Sequence, residues 1–457
     1  MESPPLLVPA FFPSYRSSCS CLEQVSISEY GRSMTRIGRF ALGAMLTVAV
    51  LAGCGGERTG EMGSVEDTEA HAEGAESDEN ALPDTIKTLD YKLGTEVVAR
   101  GLEEPWAIDF LGPDTALVTE EPGRLRLLID GELHPDSVAG TPEVSYKGVQ
   151  GGLLDVAVDP NYEQNGWVYL AYAHGLKTEA KEEPAMIRVV RGRIQGHAWQ
   201  DQEVLFEAPH DTYRTTRHQF GSRIAFGPQG RLYFSIGDRG DWPVYPEEVM
   251  MQAQELDRPN GKVYRINRDG SIPPDNPFVG QEGVLESVYT YGHRNPQGLD
   301  VHPETGRIWA LEHGPRGGDE LNCLKAGANY GWPVITYGIN YTGAVITRER
   351  RREDMEQPIV YWRPSIATSG LSFYQGEMFP YWQNQLLVSS LKMEQLRLLT
   401  MRGERRCEAV MHQEILFEGK GRIREAVPGP EGGIYVVFDS DRIVHLFRLA
   451  DYTARQG

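Results

Sequence analysis

One pattern recurs along this chain and limits what it can fold into: an apolar strand, a turn holding Pro or Gly, then a second strand rich in aromatic or β-branched residues. It reads "WAIDFLGPDTALVTEEPGRLRLL" from Trp106, "GLLDVAVDPNYEQNGWVYLAYA" from Gly152 and "SRIAFGPQGRLYFSIGD" from Ser222. It returns as "QGLDVHPETGRIWALEHG" from Gln297, "SGLSFYQGEMFPYWQNQLLVSSL" from Ser369 and "REAVPGPEGGIYVVFD" from Arg424. No convincing long helix interrupts these runs from Leu93 onward, and Gly, Pro, Asn and Asp punctuate them, as in all-β proteins. Six copies at intervals of roughly 45 to 75 residues match the radial stacking of four-stranded sheets, none of which can bury both faces alone. The expected fold is a six-bladed β-propeller over residues 89–457.

The remainder reads as export and tether. From Met34 the chain runs "MTRIGRFALGAMLTVAVLAGC": two arginines, a short apolar segment, then Leu-Ala-Gly-Cys. That is the layout of a secretory signal, and the apolar run is short for a membrane span. Cys54 after Leu-Ala-Gly resembles a bacterial lipoprotein signal, in which the thiol is acylated. The expectation is a signal over 34–53, a lipid anchor at Cys54 as the one link to a membrane, and a periplasmic or cell-surface location. Residues 1–33 read as an upstream extension, and 54–88, acidic and poor in large apolar residues, as a disordered tether. The net charge is −20, and residues 57–90 alone carry eleven Asp/Glu against two Lys/Arg. The rest of the folded part, residues 91–457, keeps −12, which argues against nucleic acid as a partner. Only Cys323 and Cys407 lie beyond the signal, and whether they pair is not readable from the sequence.

Function is expected where a propeller's loops converge, just before the inner strands. Those stretches are unusually polar. Gln150 precedes the second repeat, Arg217 and His218 the third, and "YGHRNPQG", with Arg294, Asn295 and Gln297, opens the fourth. "VYWRPSIATSG" precedes the fifth, whose second strand ends near Lys392, and Arg422 and Arg424 open the sixth. Converging, they would make a cationic pocket suited to a ligand with several carboxylates, which Arg grips bidentately. "EHGPRGGDELNCLKAGANYGWP" adds oxygen donors (the carbonyls of Gly314 and Pro315, with Asp319, Glu320 and Tyr330), a set that suits Ca²⁺ better than zinc.

The ordered set "GVQGGLLDVAVDPNY", "RHQFGSRIAFGP", "GKVYRINRDGSIPPDNP", "YGHRNPQGL", "HGPRGGDELN" and "NYGWP" resembles the soluble PQQ-dependent sugar dehydrogenases, the glucose/sorbosone and aldose group, over about residues 93–448. The resemblance implies a propeller holding pyrroloquinoline quinone (PQQ), a flat tricarboxylate, on Ca²⁺. It implies cofactor contacts at Gln150, Arg294, Asn295, Gln297, Ser365, Lys392, Arg422 and Arg424. It places the catalytic base at His218, the catalytic Ca²⁺ on the carbonyls of Gly314 and Pro315, and a second, structural Ca²⁺ at Glu320 and Tyr330. The implied reaction oxidises an aldose at C1 to an aldonolactone, with His218 taking the hydroxyl proton and hydride passing to the quinone. The electron acceptor is unknown, and the protein is expected as a monomer or homodimer. Arg217 stands where some glucose-oxidising members carry Asp, which favours the broader aldose branch. Two alternatives stay open on the same fold: a Ca²⁺-dependent lactonase or similar hydrolase, and a non-catalytic binding propeller.

Overall fold

The computed structural model of the chain describes residues 82–450, apart from 180–181, 241–245, 403–406 and 408. The signal and most of the tether expected above lie outside the described residues. Six antiparallel sheets follow one another. Their innermost strands are Pro105–Gly112, Leu153–Val158, Gly221–Phe226, Pro296–Val301, Thr368–Phe373 and Ile423–Pro428. Each begins within a residue of a repeat read from the sequence. Each inner strand packs against the next, and the sixth against the first, so the sheets form a closed ring of six blades. Among the described residues the two α-helices are single turns, Tyr162–Asn165 and Glu247–Met251.

Blade six needs both ends of the chain. Its strands Ile423–Pro428, Ile434–Phe438 and Ile443–Arg448 come from the C-terminal part, and Lys92–Ala99 pairs antiparallel with the last of them, from Leu93 opposite Arg448. Thr85–Lys87 then adds a fifth strand, with Ile86 buried. This corrects the tether boundary: the folded part starts before residue 89, because Ile86 alternates inward between two polar residues. Cys323 and Cys407 form a disulfide, which joins the third strand of blade four to the loop after Leu396–Met401 in blade five.

Polar side chains fasten the inner strands to one another. Asp109 of blade one accepts from the Val158 N–H of blade two at 2.7 Å. Asp155 of blade two accepts from the Ile224 N–H of blade three at 2.5 Å, and Asp300 of blade four from the Phe373 N–H of blade five at 2.6 Å. Glu425 of blade six accepts from the Ile108 N–H of blade one at 2.9 Å, closing the circle. Arg223 bridges Asp155 and Glu425 across the channel and lies 4.1 Å above the Trp106 ring. Burial pushes Asp109 and Asp300 up to about 6 and Asp155 up to about 7, against an ordinary 3.8, while the bonds they accept pull the other way.

These shifts have a definite sign. A carboxyl that binds its proton more tightly when folded contributes stability that is complete below its ordinary value and disappears as the pH rises through 6 to 7. Asp300→Asn removes that dependence at a fixed cost, since its amide cannot accept both the Val301 and Phe373 N–H groups. The unfolding midpoint of Asp300→Asn relative to the parent is therefore expected to improve from about pH 4 to about pH 6 and to level off above about pH 7. A constant difference across that range would contradict the assignment.

Candidate active site

The "YGHRNPQG" stretch leaves blade three and enters blade four through Gly292, whose φ of +75° suits glycine and where a Cβ would run into the Asn329 carboxamide. His293 is fully buried, hydrogen-bonded to Thr290 Oγ1 and Glu312 Oε1 at 2.9 Å each, and stacked on Tyr330. Its role is structural. Glu312 also accepts from the Arg294 N–H at 2.8 Å. The Arg294 guanidinium donates to the carbonyls of His313 at 3.1 Å and Gly314 at 2.6 Å. Beneath it, Asp238 donates its own N–H to the Arg294 carbonyl at 2.7 Å and accepts from Trp332 Nε1 at 2.7 Å. Burial lifts the Asp238 carboxyl to about 6, and the Arg294 charge opposes that rise.

Neighbouring blades are tied to this loop. Asn295 Oδ1 accepts from the Gly221 N–H at 3.0 Å, and Gln150 Oε1 accepts from the Gln219 N–H at 2.9 Å. His218 immediately precedes these two anchors, and its carbonyl accepts from Arg239. Arg239 is fully buried, lies 3.4 Å over the Phe220 ring and also donates to the Thr216 carbonyl at 2.8 Å. After Gln150, Gly152 adopts a φ of +88° and passes so close to the Glu121 carbonyl that a Cβ would overlap it. Arg217 turns toward blade two, donating to Ser145 Oγ at 3.0 Å and to the Glu183 carbonyl at 3.2 Å.

Blades five and six bring the remaining cations, and here the expectation of a simply cationic pocket needs correction. Arg424 is buried and paired with Asp439 and with Glu121, the latter at 3.4 Å. Arg422 pairs with the same Asp439 at 2.6 Å. Burial would raise the Asp439 carboxyl, but Arg424 and Arg422 outweigh it and hold it below its ordinary value. Glu121 sits at about 7, with burial dominating over Arg424. The physical reason is general: a buried guanidinium without a countercharge is too costly to keep. The cations expected from the sequence come mostly from the stretches before the inner strands. That reading missed their partners, which stand where the second strands end: Glu121 in "VTEEPG", Asp238 in "SIGDRG", Glu312 in "ALEHG" and Asp439 in "VVFDSD". That recurrence was the signal available to find them. Ser365 is likewise turned inward, donating to Asp319, which is fully buried and also accepts from the N–H groups of Gly314 at 2.9 Å and Ala367 at 2.7 Å.

His313, at the centre, shows that these groups converge. Burial drives its imidazole down to about 3, and the charges of Arg294, Arg424 and Arg422 all push the same way. It is thus neutral, and its Nε2 donates to Gln297 Oε1 at 3.1 Å. His313, Gly314, Pro315, Ser365 and Lys392 share the wall of one cleft of about 800 Å³. His313 thereby links this cleft to Arg294 and Gln297, while Gln150 and Asn295 hold the segment that follows His218.

The metal donors are less uniform. Glu320 and Tyr330 line a small cavity of about 20 Å³ together with Glu312, Gly314 and Pro315, room for a single water-sized occupant. Burial, then the Glu312 charge facing it across the paired strands, raises the Glu320 carboxyl well above its ordinary value. A cation there would relieve that repulsion. The Tyr330 hydroxyl, however, donates to the Cys323 carbonyl at 2.7 Å and accepts from the Lys325 N–H at 3.0 Å. Among the described residues no three His, Cys, Asp or Glu side chains are grouped to hold a metal, so any ion here depends on carbonyl oxygens.

Comparison with known proteins agrees with this geometry. The glucose/sorbosone dehydrogenase family profile matches residues 102–446. The aldose sugar dehydrogenase YliI of Escherichia coli K12 is 35% identical over 351 residues, 76% of this chain and 90% of that protein. Quinoprotein glucose dehydrogenase B of Acinetobacter calcoaceticus is 27% identical, over 76% of this chain and 85% of its own. The PQQ-bound aldose sugar dehydrogenase of Streptomyces coelicolor superposes with a TM-score of 0.58 at 26% identity, covering 78% of this chain and 98% of that one.

The pairing of Arg424 generates a prediction. Arg424→Met leaves Glu121 buried without its cation and Asp439 with Arg422 alone, at a cost of about 3–5 kcal/mol. The loss should be largest at pH 8 and smaller at pH 5, where Glu121 holds its proton. Denaturant unfolding at the two pH values reads this directly, and equal losses would refute the pairing as the cause.

Proposed function

The chain belongs to the glucose/sorbosone dehydrogenase family, and on that footing we propose that it oxidises aldoses at C1 to aldonolactones with PQQ as the oxidant. What supports this reading is the cleft lined by Lys392 and Ser365 beside His313, which Arg294 and Gln297 contact and on which the charges of Arg422 and Arg424 act, a donor set that would suit a flat tricarboxylate. Gln150, Asn295 and Gln297 would orient the cofactor, and Lys392, exposed at the cleft wall, would meet one of its carboxylates. Ser365 takes part only if its hydroxyl leaves Asp319. Ca²⁺ would sit at the carbonyls of Gly314 and Pro315, which requires the Arg294 guanidinium to give up the Gly314 oxygen, and a second ion would be held near Glu320. When bound, PQQ on Ca²⁺ supplies the electrophilic carbonyl that accepts hydride from C1.

The protein's own part is positioning and proton transfer. An imidazole is the side chain able to take a proton near neutral pH, and His218 leads into a segment held at Gln219 by Gln150 and at Gly221 by Asn295. It would remove the proton of the anomeric hydroxyl as hydride leaves C1. Cations at the mouth would stabilise negative charge developing on the acceptor. A hydrolase reading has less behind it, because the channel carboxylates Asp109, Asp155, Asp300 and Glu425 are engaged by backbone N–H groups and by Arg223.

Export completes the proposal: a lipid-anchored, periplasmic or cell-surface protein, monomeric or dimeric, handing electrons to an acceptor of its own compartment. The Cys323–Cys407 disulfide suits an oxidising compartment. Metabolic palmitate labelling is expected for the full chain and not for Cys54→Ser; labelling that persists would rule out the anchor at Cys54. For the reaction, purified protein mixed with PQQ and Ca²⁺ should reduce an artificial dye in the presence of aldoses and need both additives. His218→Ala should lose at least about a hundredfold in kcat. A native rate in that variant would remove His218 from the mechanism.

A further inference from the structure

Two cations in the mouth have no part in the account so far. Arg316 follows the Gly314–Pro315 turn and Arg363 precedes Pro364–Ser365; both are exposed, and both line the same cleft of about 800 Å³ as Lys392. The stem of Arg363 lies against Gly317, where a Cβ would come within 3.4 Å of its Cγ, so the two arginines share one stretch of backbone. No Asp or Glu lines this cleft, and neither arginine has an ion-pair partner among the described residues. Like charges set together without a counterion repel, and acids are plentiful in a chain with 65 Asp and Glu against 45 Lys and Arg. Arg294, Arg422 and Arg424 are each supplied with one nearby. An unneutralised pair beside them is electrostatically complementary to an anion that comes from outside.

The rest of the cleft fits a sugar. Ile339 is held to Arg316 by two backbone hydrogen bonds, of 2.9 and 3.2 Å, and with Tyr341 gives apolar surface for a pyranose C–H face. Its volume is at the upper end of the roughly 300–1,000 Å³ usual for small-molecule sites, room for a monosaccharide beside a flat cofactor.

We infer that Arg316 and Arg363 bind an anionic group on the substrate, so that the preferred aldoses carry a carboxylate or phosphate at the end remote from C1. The inference rests on the sugar-oxidation reading and names its substrate class. Guanidinium forks match both groups bidentately.

The test has a binding arm and a kinetic arm, both with the full chain. Glucuronate, glucose 6-phosphate and glucose are titrated calorimetrically into the protein without cofactor, then compared by kcat/KM after loading with PQQ and Ca²⁺. At least one anionic sugar is expected to bind about tenfold or more tighter than glucose, and the same sugar to lead in kcat/KM. Which one leads tells carboxylate from phosphate. In Arg316→Gln, Arg363→Gln and the double variant, checked for unchanged melting, the preference should fall stepwise toward one. Equal binding of all three sugars, or an undiminished preference in the double variant, overturns the inference. So does weakened PQQ binding with an unaltered glucuronate-to-glucose ratio, which would assign the arginines to the cofactor. If anionic sugars bind through the arginines yet no aldose is oxidised by the loaded protein, the oxidation reading fails while the anion site stands.

Discussion

Everything at the mouth of this ring depends on how the inner strands are held together beneath it. Inner strands in a propeller meet through side chains, because their backbone ladders run within blades and not between them. Here carboxylates make the connection, each reaching into the next blade to accept a backbone N–H, with Arg223 spanning the channel. Such bonds are directional in a way that apolar packing is not, so they fix the rotation of one blade relative to the next. The cost is burial of several like charges in one channel, visible in the raised proton affinity of Asp109, Asp155 and Asp300.

The upper end of the ring repeats this logic with the signs reversed. Cations enter from the loops before the inner strands, and acids enter from the ends of the second strands of the same or a neighbouring blade. Arg424 with Asp439 and Glu121, and Arg294 above Asp238, are ordered before any ligand arrives. Pre-ordered arginines do not have to be organised on binding, which is where much of the cost of holding a polyanion otherwise lies. Lys392, Arg316 and Arg363 differ in kind: they are exposed and unpaired by acids, and so left to respond to what binds.

Much of the architecture was legible in the sequence because blade repetition imposes a repeated pattern. The six repeats locate the inner strands to within a residue. His293, in the same stretch as Arg294, is structural, since an imidazole between Thr290 and Glu312 has both nitrogens engaged. Glu121, one of the acids that neutralise Arg424, was not seen because it lies 303 residues away and meets it only when the ring closes, whereas Asp439, 15 residues on, was marked only by the recurrence of acids at the ends of second strands. The start of the fold was also missed. Thr85–Lys87 is a three-residue edge strand, too short for alternation to stand out against an acidic flank. The cysteine pair was undecidable for a related reason, since its 84-residue separation says nothing about proximity across two blades.

The central claim is that residues scattered over six blades form one cage for a polyacidic cofactor at the mouth of the ring. Diffraction from crystals grown with PQQ and Ca²⁺ tests it most directly. Density for the tricyclic ring is predicted in the cleft bounded by Arg294, Asn295, Lys392 and Arg422. Ring density on the opposite face, or none at the mouth under saturating cofactor, would contradict the account.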